Sequence, residues 1–95
     1  MKTPDFRREI KVARAIKELS ADPSFLEGYI RGLRRHYHGE NFGTAEEHAQ
    51  WMALADEQGD AQRTARGKGY RAGYAGQSTK DLGDISSTLN KNPGP

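Results

Sequence analysis

Cysteine is absent from this chain, which excludes disulfides, thiolate nucleophiles and cysteine-ligated zinc together. Apolar residues are also scarce. They make up 34% of 95 residues, below the usual globular share, and much of that content stands before Ala55. A domain of this size buries only about 60 to 65% of its unfolded surface, so its core is expected to be thin. The N-terminal stretch from Met1 to Lys17 mixes charge with apolar residues and has no continuous apolar run, so neither a signal peptide nor a membrane span is expected. The expectation is a soluble protein of the cytoplasm. Strand-like alternation of useful length is missing too, which points away from a sheet.

Charge of one sign is missing in two adjacent stretches. Thr44 to Asp60 holds no Lys or Arg and five acids: Glu46, Glu47, Asp56, Glu57 and Asp60. Ala61 to Lys80 holds no acid and five bases: Arg63, Arg66, Lys68, Arg71 and Lys80. Either the two segments fold against each other and partly neutralise, or the basic one stays free for nucleic acid or an acidic protein surface.

What is present is a repeat. Gly28-Tyr29-Ile30-Arg31-Gly32 and Gly69-Tyr70-Arg71-Ala72-Gly73 each place a tyrosine after the first of two glycines four residues apart. On a helix that spacing puts both glycines on one side. Two bare stripes predict two helices packed closely together, or a surface built to accept a partner, a second copy of the chain included.

Caps and stripes predict an all-α fold, a compact domain of three or four short helices. Thr3-Pro4-Asp5 starts helix one, with Phe6, Ile10, Ala13, Ile16 and Leu19 at helical spacing and Arg7, Arg8, Lys11, Arg14 and Lys17 on a solvated outer face. Asp22-Pro23 starts helix two, whose stripe runs through Phe25, Leu26, Tyr29, Ile30, Leu33 and Tyr37 until Gly39 ends it. Thr44-Ala45-Glu46-Glu47 is a capping box for helix three, with Glu47 reaching back to the Thr44 amide. Asp60 caps helix four, which runs to about Ala75. The glycines of this last helix cost about 1 kcal/mol each relative to alanine, so it requires a packing partner: the Gly28/Gly32 side of helix two, or Trp51. The helical domain is thus expected over residues 1–76, followed by a disordered or transiently helical tail over 77–95 in which Leu82, Ile85 and Leu89 recur at weakly helical spacing.

Catalysis has little to build on: no strained nucleophile turn and no phosphate-cradling loop after a strand. No enzymatic activity and no cofactor are expected. His36 and His38, two apart on a helix, point about 200° apart, which argues against a shared metal ion with His48. Binding has more. Arg31, Arg34, Arg35 and His38 cluster on the polar flank of helix two, and Arg63, Arg66, Tyr70 and Tyr74, with Arg71 beside them, follow helix four. Arginines interleaved with tyrosines suit phosphate contact and base stacking, and equally suit protein hot spots. In the purely structural alternative, the tyrosines roof the core and the arginines pair with the acids of helix three.

The string Gly28 to Arg35, then Tyr37 to Thr44, then Glu47-His48 and Trp51, resembles small accessory proteins encoded by bacteriophages and prophages. That resemblance implies a host-takeover role, including inhibition of bacterial defence as by anti-CRISPR proteins, which occupy a partner's surface. Gly69 to Gly76 is similar to the glycine-tyrosine helix of ribosome modulation factor, although the cysteine-proline pattern that follows in that family has no counterpart here. Expected partners are therefore a bacterial protein or nucleoprotein complex, with RNA or DNA as the alternative; no membrane is expected, and the chain is a monomer or homodimer.

Overall fold

The computed structural model describes residues 3–82. Four α-helices run in the order α1 (Thr3–Leu19), α2 (Ser24–His38), α3 (Ala45–Leu54) and α4 (Ala61–Tyr74), with single 3-10 turns at Gly39–Asn41 and Thr79–Asp81. No strand occurs among the described residues, and no described helix is long and apolar enough to cross a membrane.

The starts and stops follow local chemistry. Asp22 accepts from the Ser24 amide at 3.1 Å and its hydroxyl at 2.6 Å, so the Asp-Pro signal acts just ahead of α2. Gly39 ends that helix at φ +61°, a conformation that suits glycine. Asp60 accepts from the amides of Gln62 and Arg63, satisfying two orphan donors of α4. Thr44 caps α3 through the Glu47 amide at 3.0 Å. The expected reciprocal half of that box takes another form: the Glu47 carboxylate turns to Arg31 at 3.0 Å.

The centre of the fold is the α2–α4 pair, in which backbone meets backbone. A Cβ placed on Gly28 would stand 1.8 Å from the Arg66 carbonyl oxygen and 2.9 Å from the Tyr70 amide. A Cβ on Gly69 would stand 1.9 Å from the Phe25 oxygen and 2.9 Å from the Tyr29 amide. The same correspondence holds one turn on: Gly32 faces Tyr70 and Tyr74, while Gly73 faces Tyr29 and Leu33. The two helices therefore lie parallel, with Gly-Tyr-x-x-Gly set against Gly-Tyr-x-x-Gly about a local pseudo-two-fold axis. This occupies the glycine face of α2 within the chain, so a second copy could meet Gly28 and Gly32 only by displacing α4.

A two-fold sends the paired tyrosines to opposite sides. Tyr29 is fully buried beside Leu26, Ile30 and Leu33, with Ile10 and Ala13 of α1 covering them and Phe6, Ile16, Phe25 and Ala72 at the margin. Burying each of the large side chains stabilises the fold by about 1.5 to 3 kcal/mol. Tyr70 leaves on the α3 side, where it is 3% exposed. The α3 helix itself contributes no fully buried residue and docks by its end. A Cβ on Gly67 would meet the Ala55 amide at 2.1 Å, and Arg71 donates to the Met52 carbonyl at 2.8 Å.

The chain does not leave the domain at Gly76. Gly76, at φ +79°, turns it back. The Tyr29 hydroxyl donates to the Gln77 carbonyl at 2.5 Å, the Thr79 amide donates to Glu9 at 2.7 Å, and Leu82 enters the core at 7% exposure. Residues 77–82 thus belong to the folded unit, which corrects the expected boundary. Ile85 and Leu89 lie outside the described residues.

Burial raises the Tyr29 hydroxyl well above the ordinary tyrosine value of 10.0, with Glu9 and Asp81 adding to the effect. Burial raises Tyr70 in the same direction. A tyrosine whose folded value exceeds its unfolded one keeps its proton longer in the native state, so stability must fall as pH rises past about 10. Urea midpoints measured from neutral to strongly alkaline pH should decline from that point. Tyr29→Phe should flatten the decline relative to its own neutral value, and an unchanged slope would contradict this environment.

Candidate binding surfaces

The sequence-predicted binding residues fall into three settings. Most of the α4 cations are engaged internally. Arg63 makes a two-pronged pair with Glu57, Arg66 lies 3.5 Å from Glu27, and Arg71 holds Asp56 at 2.9 Å. The Glu57 pairing lowers that carboxyl below its ordinary value and raises Arg63. These pairs are largely exposed and contribute little to stability. They nonetheless partly neutralise the strip: the acidic and basic segments meet at Arg63–Glu57 and Arg71–Asp56, the first of the two alternatives that the charge pattern offers.

The second setting is an aromatic ladder between α2, α3 and α4. Trp51 stacks on Tyr70 with ring centroids 5.4 Å apart and planes 23° apart, and Tyr70 stacks on Tyr74 at 6.5 Å and 10°. His48 Nδ1 lies 2.7 Å from the Tyr70 hydroxyl, and its ring packs on Tyr74 at 4.5 Å. Burial and the nearby Arg35 charge hold His48 below its ordinary value, which suits a neutral ring accepting from Tyr70. Arg31 closes the other end, its guanidinium 5.2 Å from the Phe42 ring centre and 5.3 Å from that of Trp51. Arg35 pins the connector by donating to the Phe42 carbonyl at 2.9 Å. The last rung is the exposed one: Tyr74 is 40% exposed and shares a shallow notch with Arg35, His36, Gly39 and Glu40. His36 is fixed there, Nδ1 being 2.8 Å from the Tyr74 carbonyl oxygen.

His38 stands apart, edge-on to Phe6 and Tyr37, which stack at 4.2 Å. The three imidazoles thus occupy three separate environments. Among the described residues no group of three His, Asp or Glu side chains is placed to hold a metal ion.

The third setting was read in part: Arg31 and Arg34 were expected from the sequence, and Arg14 and Lys17 of α1 were not. Arg14 and Lys17 of α1, Arg31 and Arg34 of α2, Glu27, Ile30 and Trp51 line one open groove. Arg14 reads as a solvated helix residue because Glu18 stands four positions on, the spacing of a surface ion pair. No such pair forms among the described residues. The available signal was the absence of an acid within reach of Lys17 and Arg34 at helical spacing.

Fold and surface together define a small all-α protein built on a glycine-mediated parallel helix pair, with a half-open tyrosine, a cation-lined groove and a thin core. Comparison with known protein families, with curated proteins and with solved structures finds no match to this chain.

Proposed function

We propose that this chain is a non-enzymatic accessory protein, of the kind bacteriophages and prophages encode, that docks on a bacterial protein or nucleoprotein complex in the cytoplasm and inhibits it by occupying its surface. The observation that carries the reading is Tyr74. It is a half-open tyrosine at the end of a supported ladder, its ring held by Tyr70 and His48 and flanked by Arg35. A pre-ordered aromatic beside an arginine costs little entropy on binding and has the composition of a hot spot. Inhibition of a defence complex is the form of this role that the sequence resemblance suggests.

Tyr74→Ala is the decisive variant, because it removes the exposed rung and leaves the buried ones. Capture from nuclease-treated bacterial lysate by the wild-type chain should retain a discrete protein complex. The purified complex should bind Tyr74→Ala at least about 30-fold more weakly, the effect of losing a hot spot worth about 2 kcal/mol. Equal affinity would move the interface away from this notch.

A second reading, direct binding of RNA or DNA, is favoured by a separate observation. Arg7, Lys11, Arg14 and Lys17 of α1 and Arg34 of α2 have no carboxylate partner among the described residues, whereas most of the α4 cations do.

A further inference from the structure

We infer that the α1–α2 groove is a nucleic-acid site that holds the phosphodiester backbone of a strand, with Arg14, Lys17 and Arg34 as its phosphate ligands. The inference rests on the second reading above and gives it a location that the sequence-predicted α4 strip does not share.

The first argument is the placement of free charge. Five of the chain's salt-bridging cations are Arg8, Arg31, Arg63, Arg66 and Arg71, each already facing a carboxylate. Among the described residues, the cations without a carboxylate partner concentrate instead on α1 and on the α2 flank beside it. Arg7, Lys11, Arg14 and Lys17 recur at i, i+4, i+7 and i+10, a line that spans about 15 Å at the α-helical rise. Arg34 stands across the groove from the last two. The acid that lines the same groove, Glu27, is directed to Arg66 at 3.5 Å and so does not quench it.

The second argument separates a phosphate polymer from an acidic protein. The centre of a protein–protein interface is depleted of charge other than arginine, and lysine is disfavoured there. Nucleic-acid interfaces are far more positive. Arg14, Lys17, Arg31 and Arg34 all line this groove, beside Glu27, Ile30 and Trp51. A line of long, flexible cations fits an extended polyanion better than a single anion.

The third argument concerns selectivity. Trp51 is in the groove, but Tyr70 stacks on it at 5.4 Å and the Arg31 guanidinium lies 5.3 Å from its ring centre. With Tyr70 and Arg31 already against the ring, a base would compete with them for it. The groove therefore reads the backbone charge and shows no base preference, unlike sites built on exposed aromatics. Trp51 is also the only tryptophan in the chain, so its emission gives a single-site signal from a ring that lines this groove.

The test uses the full chain and three probes: a labelled single-stranded oligonucleotide of mixed sequence, its duplex, and polyglutamate. Wild type should bind the single strand at low salt with a change in Trp51 emission. Affinity should fall with salt at a log–log slope of about −2 to −3.5, the release expected for three to five phosphates. Arg14→Glu with Arg34→Glu should lower affinity more than tenfold and reduce the slope by about 1.4. Lys68→Glu with Lys80→Glu makes the same change in net charge on exposed residues outside the groove, and should keep the emission change and most of the affinity. Far-UV circular dichroism confirms that both double variants stay folded.

Equal loss in the two double variants would overturn the groove while leaving general nucleic-acid binding intact. Absence of oligonucleotide binding at low salt would overturn both the groove and the reading it rests on. Tighter binding of polyglutamate than of either oligonucleotide would assign the groove to an acidic protein and overturn the phosphodiester assignment. None of these outcomes touches docking through Tyr74, which the nuclease-resistant capture decides separately.

Discussion

A chain carrying Gly69→Ala is expected to lose about 3 kcal/mol or more of folding stability, although the substitution improves helix propensity. Alanine gains about 1 kcal/mol over glycine in a helix interior. Against that gain stands a methyl group 1.9 Å from the Phe25 carbonyl oxygen, a distance no real Cβ contact adopts. The obstructing atom is backbone, so no side chain can rotate away. The two helices must separate, and every close approach along the pair is lost together. Overpacking in a core costs 1 to 3 kcal/mol and occasionally more, and a contact this short lies at the upper end. Marginal stability of about 0.05 to 0.15 kcal/mol per residue leaves a chain of this size little reserve.

Urea unfolding followed by circular dichroism checks the result. Ala53→Gly, on the exposed side of α3, serves as the comparison and should cost about 1 kcal/mol through propensity alone. Gly28→Ala should behave like Gly69→Ala because the pseudo-two-fold makes their surroundings equivalent. Their combination should cost less than the sum, since one separation accommodates both methyl groups. A Gly69→Ala midpoint at or above wild type would mean that α2 and α4 are not in backbone contact.

Leu82→Ala should cost about 2 to 4 kcal/mol, the price of emptying a core position. Such a loss is unexpected for a residue in a polar, Ser- and Gly-rich stretch well past the last helix. The structure places Leu82 at 7% exposure among Ile10, Ala13 and Leu33, with the preceding turn tied down through Tyr29 and Glu9. Denaturant midpoints of the full-length variant measure the effect. A change within 0.5 kcal/mol, the range typical of surface substitutions, would show that residues 77–82 do not pack on α1. Tyr29→Phe, which removes the hydroxyl that meets the Gln77 carbonyl, should lose about 1 kcal/mol in the same assay.

The legible part of this molecule is its local chemistry. Thr44 and Asp60 mark helix starts because their side chains can accept from the amides that a helix leaves orphaned, and that requirement depends only on nearby residues. Gly39 and Gly76 mark ends because a positive φ suits glycine. The repeated Gly-Tyr-x-x-Gly motif announces a close helix pair, since glycines inside a helix are unfavourable unless something approaches the space they leave open. The candidate surface was less legible. Arg63, Arg66 and Arg71 have the composition of a binding strip, yet their availability depends on where Glu57, Glu27 and Asp56 come to rest.

By itself, then, the sequence determined the all-α class, the starts of the helices at their capping signals, and the need for a glycine-lined partner, because each follows from backbone conformation and hydrogen bonding within a few residues. Only the tertiary structure decided that α2 and α4 run parallel, that Tyr29 and Tyr70 part to opposite sides, that the chain returns as far as Leu82, and which cations stay unpaired. Those outcomes depend on distances between residues far apart in the chain. Charge pairing in particular is a property of space: Glu27 neutralises Arg66 across 39 positions of sequence, and that leaves the groove beside it positive.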